Sequence, residues 1–322
     1  MRVQKHIFQG STKGIRLAAN IYYPSHEISD RASHNNGQTL LFVHANGFHK
    51  ELWEESLERL FSEAAKNQSC YIEKAVAFDV RHSGESSGLN AQYFDAGIES
   101  YSWYLNARDV LAVADQLGRS CSQLVGIGHS FGASSTFLAE LMRPCTFGRI
   151  FAIEPVILPE HIGSNRVEAR TSTVATNTLR RRNAWSSEQE FIEYIKSKQV
   201  YANWTPKCQH LYSKHGLYLD PNATVPRYKL SCSPRFEAAT YKGSFQAISQ
   251  IYSNPHMLRC PIKIIVGENS NVLTVDSAVN FTAKIPNASS TVVAGTSHLL
   301  LMENPTHISD LLLDFIAVNK GI

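Results

Sequence analysis

The sequence predicts an α/β fold in which helices cover both faces of a mostly parallel central sheet and one helical insertion interrupts the alternation. Three observations carry that prediction. Short, nearly continuous apolar runs, TLLFVH (39–44), EKAVAFDV (73–80), RIFAI (149–153) and PIKIIVG (261–267), alternate with segments of helical character. Strands buried on both faces and joined by right-handed helical crossovers read in this way. A Gly-X-Ser-X-Gly turn, Gly128-His129-Ser130-Phe131-Gly132, stands where one such run ends and a helix-forming stretch begins. From Val156 to Arg259 the alternation lapses, and aromatic and basic helical segments replace it before strands resume. The expected organisation is therefore a core of residues 1–155 and 260–322 with a helical lid inserted over 156–259.

In chain order, residues 1–23 alternate loosely around GSTKG and predict an antiparallel hairpin at the sheet edge. The polar stretch Ser25–Gln38 predicts a surface loop. TLLFVH predicts a buried strand ending in the turn His44-Ala45-Asn46-Gly47-Phe48, with an amphipathic helix from Glu51 to Lys66 after it. EKAVAFDV is the next strand, closed by Arg81-His82-Ser83-Gly84-Glu85-Ser86. A helix near Ala107–Leu117 leads to the strand LVGIGH, and the helix after Ser130 runs to about Arg143. RIFAI ends at Glu154-Pro155. Beyond the insertion come PIKIIVG, a helix near Thr274–Lys284, the strand STVVAG (290–295) and a last helix over Thr306–Asn319. No internal repeat or low-complexity tract interrupts this order.

Composition narrows the function classes. With 43% hydrophobic and 18% charged residues in 322, the chain is of ordinary globular composition, neither disordered nor collagenous. No apolar run has the length of a membrane span, and MRVQKHIFQG lacks the apolar centre of a signal peptide, so an intracellular, cytoplasmic protein is expected. Under that expectation the Asn-X-Ser/Thr sites at Asn67, Asn203, Asn222, Asn280 and Asn287 stay unmodified. The six cysteines, at 70, 121, 145, 208, 232 and 260, form no CxxC or Cys/His cluster at zinc spacing, so they are expected free, with no metal and no cofactor.

The chemistry centres on Ser130. A strand that reverses into a helix within a few residues strains the serine backbone and lifts its hydroxyl clear, and the flanking glycines avoid the clash of closely passing strand and helix. The Phe131 amide, at the new helix's N-terminus, then points where an oxyanion forms. A second amide belongs to the turn after TLLFVH, with Asn46 first and Phe48 as the alternative. His44 is expected to organise that turn, and Asp79 to hold the loop 81–86. The candidate base is His298 in GTSHLLLMENP, between the last strand and the last helix. The acid commonly follows the strand that here reads IKIIVG, yet Glu268-Asn269-Ser270-Asn271 puts Ser270 at that place. One strand earlier, Glu154 stands 24 residues beyond Ser130. Glu154 is the expected acid, with Glu268 and then Asp276 as alternatives.

These residues carry a resemblance. HANGFHKELWE (44–54), FDVRHSGESSGLN (78–90), GHSFG, the acid Glu154 before Pro155, and WTPKCQHLYSKHGL (204–217) resemble the α/β-hydrolases across essentially the whole chain. The narrower likeness is to a fungal, often peroxisomal group that includes acyl-CoA hydrolases of toxin and mycophenolic acid pathways and a yeast lipase. It implies the α/β-hydrolase fold, Ser130 as nucleophile, His298 as base and Glu154 as acid. Fungal lactonases of macrocyclic mycoestrogens are similar and carry a Glu at that place. Two departures stand out: Arg-His-Ser-Gly replaces an expected Asn-His-Gly-like string, and the chain ends Asn-Lys-Gly-Ile rather than in a peroxisomal tail.

Charge refines the substrate expectation. The stretch 156–260 holds 14 Lys and Arg against 7 Asp and Glu, a net +7 in a chain of +3. A basic lid suits an anionic acyl substrate such as a CoA thioester, with Arg180, Arg181 and Arg182 as candidate phosphate contacts and Trp185 among the candidate acyl-pocket aromatics. For each arginine the bland alternative is a solvent-facing helix charge. The expected reaction is thioester or carboxylic ester hydrolysis through an acyl-serine, with lactone or lipid ester cleavage as the alternative. From another class, a non-catalytic binding protein on the same fold remains open. No nucleic-acid motif accompanies the basic charge, and oligomeric state leaves no signal.

Overall fold

The computed structural model describes residues 1–25, 37–66, 71–94, 97–157 and 164–317. Most of the loop expected over Ser25–Gln38, Asn67, Cys70 and the final residues of the last predicted helix lie outside the described residues. The chain opens with β1 (Arg2–Gln9) and β2 (Arg16–Tyr23), an antiparallel pair closed by the GSTKG turn. Then follow β3 (Gln38–Val43), a 3₁₀ turn (Lys50–Trp53) leading into α1 (Glu54–Lys66), β4 (Ile72–Phe78), α2 (Gly84–Leu89) and α3 (Trp103–Leu117). β5 (Leu124–His129), α4 (Phe131–Met142) and β6 (Arg149–Ile153) complete the first part of the core.

Between β6 and the next core strand, the stretch expected as an insertion comprises α5 (Ser164–Leu179), β7 (Ala184–Trp185), α6 (Glu188–Lys196), α7 (Pro206–His215), β8 (Leu217–Leu219), β9 (Tyr228–Leu230), α8 (Pro234–Lys242) and α9 (Phe245–Ser253). The core resumes with β10 (Ile262–Gly267), α10 (Val275–Thr282), β11 (Ala288–Val293), α11 (Leu300–Glu303) and α12 (Pro305–Ala317). One feature of the insertion departs from the helical expectation: β7, β9 and β8 form a small antiparallel sheet. Its strands have two or three residues each, too short for a period-2 pattern to show against the helical background.

The main sheet has eight strands in the order β1-β2-β4-β3-β5-β6-β10-β11. β2 runs antiparallel to β4, and from β4 to β11 every pairing is parallel. The period-2 geometry of a strand divides the apolar runs between two layers. Leu41 and Val43 face the layer with α3, α4, α9 and α10, whereas Leu40 and Phe42 face α1, α12 and the packed aromatics of α6 and α7. Burying both faces explains why these strands read as continuous apolar runs, each buried Leu or Phe contributing about 1.5–3 kcal/mol.

The parallel strands all point their carboxyl ends one way, and the loops that follow β3, β5, β6, β10 and β11 gather at that edge. Open α/β sheets bind ligands there. Among the described residues no helix is long and apolar enough to cross a membrane, and no group of three or more His, Cys, Asp or Glu side chains could hold a metal ion. Cys121, Cys145, Cys208, Cys232 and Cys260 are unpaired.

Candidate active site

Ser130 lies between β5 and α4 with φ 55° and ψ −118°, a conformation an ordinary L residue avoids. Its amide is tied to the Ile153 carbonyl on β6 (2.8 Å), so the neighbouring strand holds the strained turn in place. The two glycines are sterically required. A Cβ on Gly128 would lie 2.5 Å from the Ala133 backbone, and one on Gly132 would lie 2.1 Å from the Val43 carbonyl oxygen. With its backbone so fixed, the Ser130 Oγ reaches His298 Nε2 at 2.9 Å.

His298 follows β11, and its Nδ1 lies 2.8 Å from Glu154 Oε2. A carboxylate at Nδ1 favours the tautomer with its proton there, leaving Nε2 to accept from the serine. Glu154 directly follows β6 with φ 49° and is wholly buried. Its Oε1 accepts from the Gly267 amide (2.7 Å) and its Oε2 from the Ser270 hydroxyl (2.7 Å). The two alternative acids are elsewhere: Glu268 accepts from the Gly295 amide at 2.8 Å, and Asp276 sits exposed in the first turn of α10.

The turn after β3 comes within reach of the same serine. Asn46 lines a cavity shared with Ser130 and Phe131, and its Nδ2 donates to the Glu237 carbonyl on α8 (3.0 Å). Phe48 is turned away: its amide donates to Ala45 (3.2 Å), and its ring packs on Trp204 and Tyr212. Gly47 holds φ 82° with the Glu237 carboxylate against it, 2.8 Å from where a Cβ would be. His44 is buried, its Nδ1 on the Ala45 carbonyl (2.7 Å) and its Nε2 accepting from the Val80 amide (3.0 Å). Burial lowers its pKa to about 4, consistent with a neutral ring that ties the turn to β4. His129 likewise donates from Nε2 to the His298 carbonyl (2.9 Å) and clamps the His298 loop to the elbow. Burial, with His298 nearby, lowers its pKa to about 3.

A cavity of about 150 Å³ opens on Ser130 and His298. Trp103, Val156, Val174, Ile248 and Val272 give it apolar walls, with Asn46, Thr171, Tyr241 and Ser244 as polar points. Among the described residues that line it, none is Lys, Arg, Asp or Glu. A small apolar chamber beside a hydrogen-bonded Ser–His–Glu chain is suited to holding an acyl group against a nucleophile.

Comparison with known proteins identifies the family. The model of the Alpha/beta hydrolase family matches residues 40–308. The chain belongs to that family. It is 27% identical over 205 residues to a Saccharomyces cerevisiae protein named peroxisomal membrane protein LPX1, a match covering 60% of this chain and 52% of that protein. It is 28% identical over 203 residues to the type I acyl-CoA thioesterase mpaH of Penicillium brevicompactum, covering 59% and 44%. The chain thus spans about half the length of these curated relatives. Among solved structures, the peroxisomal alpha-beta-hydrolase Lpx1 from Saccharomyces cerevisiae superposes with a TM-score of 0.77 at 22% identity, over 100% of this chain and 90% of that one. The thioesterase domain from the curacin biosynthetic pathway gives 0.71 at 15%, over 97% and 100%. At such identities the likeness shows the shared fold.

Within this alpha/beta hydrolase chain, the insertion residues singled out for substrate contact are not brought to the cavity. Arg181 pairs with the Glu237 carboxylate, Nη1 to Oε1 at 3.3 Å with Nη2 to Oε2 also bonded. Burial would lower the Arg181 pKa, and the Glu237 charge more than offsets it. Arg182 pairs with Glu190, donates to the Ala184 carbonyl (2.9 Å) and lies over the Trp185 ring at 5.4 Å. Trp185 itself is packed among Phe191 and Tyr194. Arg180 is exposed. The physical reason is that most of these arginines have carboxylate partners within the insertion, which net charge cannot reveal.

Three contributors escaped the sequence reading. Ser270 was legible only as a missing acid, His129 as the variable residue of the motif, and Glu237 as one carboxylate of a helix. Each acts through a fold-level contact with no local sequence signal.

Proposed function

We propose that this chain hydrolyses ester or thioester bonds through an acyl-serine intermediate. The observation that carries the proposal is the continuous chain from Ser130 Oγ to His298 Nε2 and from His298 Nδ1 to Glu154, 2.9 and 2.8 Å, opening on an apolar cavity. In the proposed cycle Ser130 attacks the acyl carbon while His298 takes its proton, and Glu154 stabilises the imidazolium. The Phe131 and Asn46 amides hold the oxyanion of the tetrahedral intermediate. His298 then protonates the leaving alcohol or thiol, and a water activated by the same ring releases the acid.

The printed names of the Penicillium relative and the curacin domain lend support to a thioester substrate. A second reading, cleavage of a neutral ester or lactone, is favoured by one observation: among the described residues no cationic side chain lines the cavity, and Arg181 and Arg182 are engaged elsewhere. A hydrolysis screen across short- and medium-chain acyl-CoAs, p-nitrophenyl esters and lactones, with Ser130→Ala as the blank, tests both. Thioester turnover that falls with added salt supports the anionic substrate; good ester turnover without acyl-CoA turnover selects the second reading. A fluorophosphonate probe that labels the native chain but not Ser130→Ala is expected. A label-inert native chain would overturn the proposal and return the non-catalytic alternative.

A further inference from the structure

Ser270 sits three residues past β10, in a loop whose first turn is closed by its own amide on the Gly267 carbonyl (3.1 Å). Its hydroxyl oxygen accepts from two backbone amides, Val272 and Leu273, both at 3.2 Å. With those donors on the oxygen, its single proton has one direction left, and Glu154 Oε2 lies along it at 2.7 Å. The same Oε2 receives His298 Nδ1. Ser270 and His298 therefore meet on one carboxylate oxygen, while the Gly267 amide holds the other.

Resting on the hydrolase reading above, we propose that Ser270 is a positioning residue that sets the orientation of Glu154 toward His298. The physical need comes from the length of the acid. A glutamate has one more rotatable bond than an aspartate, and its terminal torsion is broad. The Gly267 amide alone leaves the carboxylate free to pivot about Oε1. The Ser270 hydroxyl removes that pivot and directs Oε2 at Nδ1, so the histidine tautomer and the approach of Nε2 to Ser130 depend on it. The loop also carries Val272 into the cavity wall, which ties the orientation of the acid to the shape of the chamber.

The test uses the full chain with p-nitrophenyl butyrate and a fluorophosphonate probe. Ser270→Ala is expected to lower kcat and the labelling rate about tenfold, the loss of one hydrogen bond that matters in the transition state, with KM within twofold. Ser270→Thr, which keeps the hydroxyl, is expected to retain most of the rate; it also serves if the alanine variant does not fold. In a Glu154→Ala background, Ser270→Ala is expected to change the labelling rate less than twofold, because nothing remains to be positioned. An unchanged kcat in Ser270→Ala, or a full additive loss in the Glu154→Ala background, would overturn the proposal. Labelling of native Ser130 reports separately on the hydrolase reading.

Discussion

At the residue scale, the site is a set of backbone conformations bought with steric constraint. Ser130 and Glu154 both hold positive φ, at 55° and 49°, and both sit at strand ends where the next strand's carbonyl takes their amide, Ile153 for Ser130 and Ile265 for Glu154. The strain persists because the sheet over-determines it. If Glu154 is the acid, Glu154→Gln lowers kcat by about 10⁴-fold, since an amide neither selects the tautomer nor stabilises the imidazolium. Glu268→Gln and Asp276→Asn are expected within twofold of the native rate, and steady-state ester kinetics on the three variants checks the assignment. Gly132→Ala is expected to yield little folded protein, because its methyl would meet the Val43 carbonyl at 2.1 Å; soluble yield and circular dichroism report the outcome.

Elements bring these residues together through two buried polar clusters on either side of the β3 turn. On one side Lys50, wholly buried in the 3₁₀ turn before α1, bonds Glu51 (2.7 Å), Asp79 (2.9 Å) and Glu85 (2.7 Å). Burial alone would lower its pKa, and the Asp79 and Glu51 carboxylates more than reverse that. Asp79 also accepts from the Glu85 amide at 2.8 Å, so it does hold the loop 81–86 as its place at the end of β4 implied. On the other side, α8 grips the turn through Asn46 on the Glu237 carbonyl and the Arg181–Glu237 pair beside Gly47. Arg181→Ala leaves the Glu237 carboxylate buried without its partner and is expected to cost about 3 kcal/mol of stability. Arg180→Ala and the surface pair variant Arg182→Ala are expected within about 0.5 kcal/mol. Urea denaturation of the three separates a latch from solvent-facing charge; equal effects would refute the latch.

The whole molecule carries an acid sensitivity of its own. His44, His82 and His129 are fully buried, and burial first of all lowers their pKa values to about 4, 3 and 3. Below pH 6.5 the unfolded chain takes up protons that the folded chain refuses, so stability present above that pH is lost as pH falls toward 4 and 3. At pH 5 each ring accounts for a loss of about 2 kcal/mol relative to neutral pH. The urea midpoint is therefore expected to fall steeply from pH 6.5 to pH 5. His82→Gln, packed between Tyr101 and Phe236 away from the Ser130 cavity, should lessen the slope; a flat pH profile in the native chain would contradict the reading.

The apolar runs placed the inner strands β3, β4, β5, β6 and β10 within a few residues, because a strand covered on both faces has no choice but to be apolar throughout, whereas the edge strands β1 and β11, mostly exposed or half-buried, were placed by the hairpin turn and by position in the alternation. RIFAI ends where β6 ends, and GHSFG could be read as an elbow because strand, glycine and helix are all local requirements. The small sheet of β7, β8 and β9 was not legible, since two- and three-residue strands are specified by their partners rather than by their own pattern. Nor could the sequence say what Arg181 faces, because an ion pair 56 residues apart has no local signal. The sequence by itself determined which residues were available to the site: a serine forced onto a turn, a histidine after the last strand, and a glutamate where β6 stops. Only the tertiary structure decided which carboxylate meets His298, what holds it there, and that Arg181 and Arg182 pair with Glu237 and Glu190 rather than lining the cavity. The contacts that assemble the acid and base join residues more than 100 apart in sequence, such as His298 with Glu154 and with Ser130, and are made when parallel strands bring their carboxyl ends to one edge.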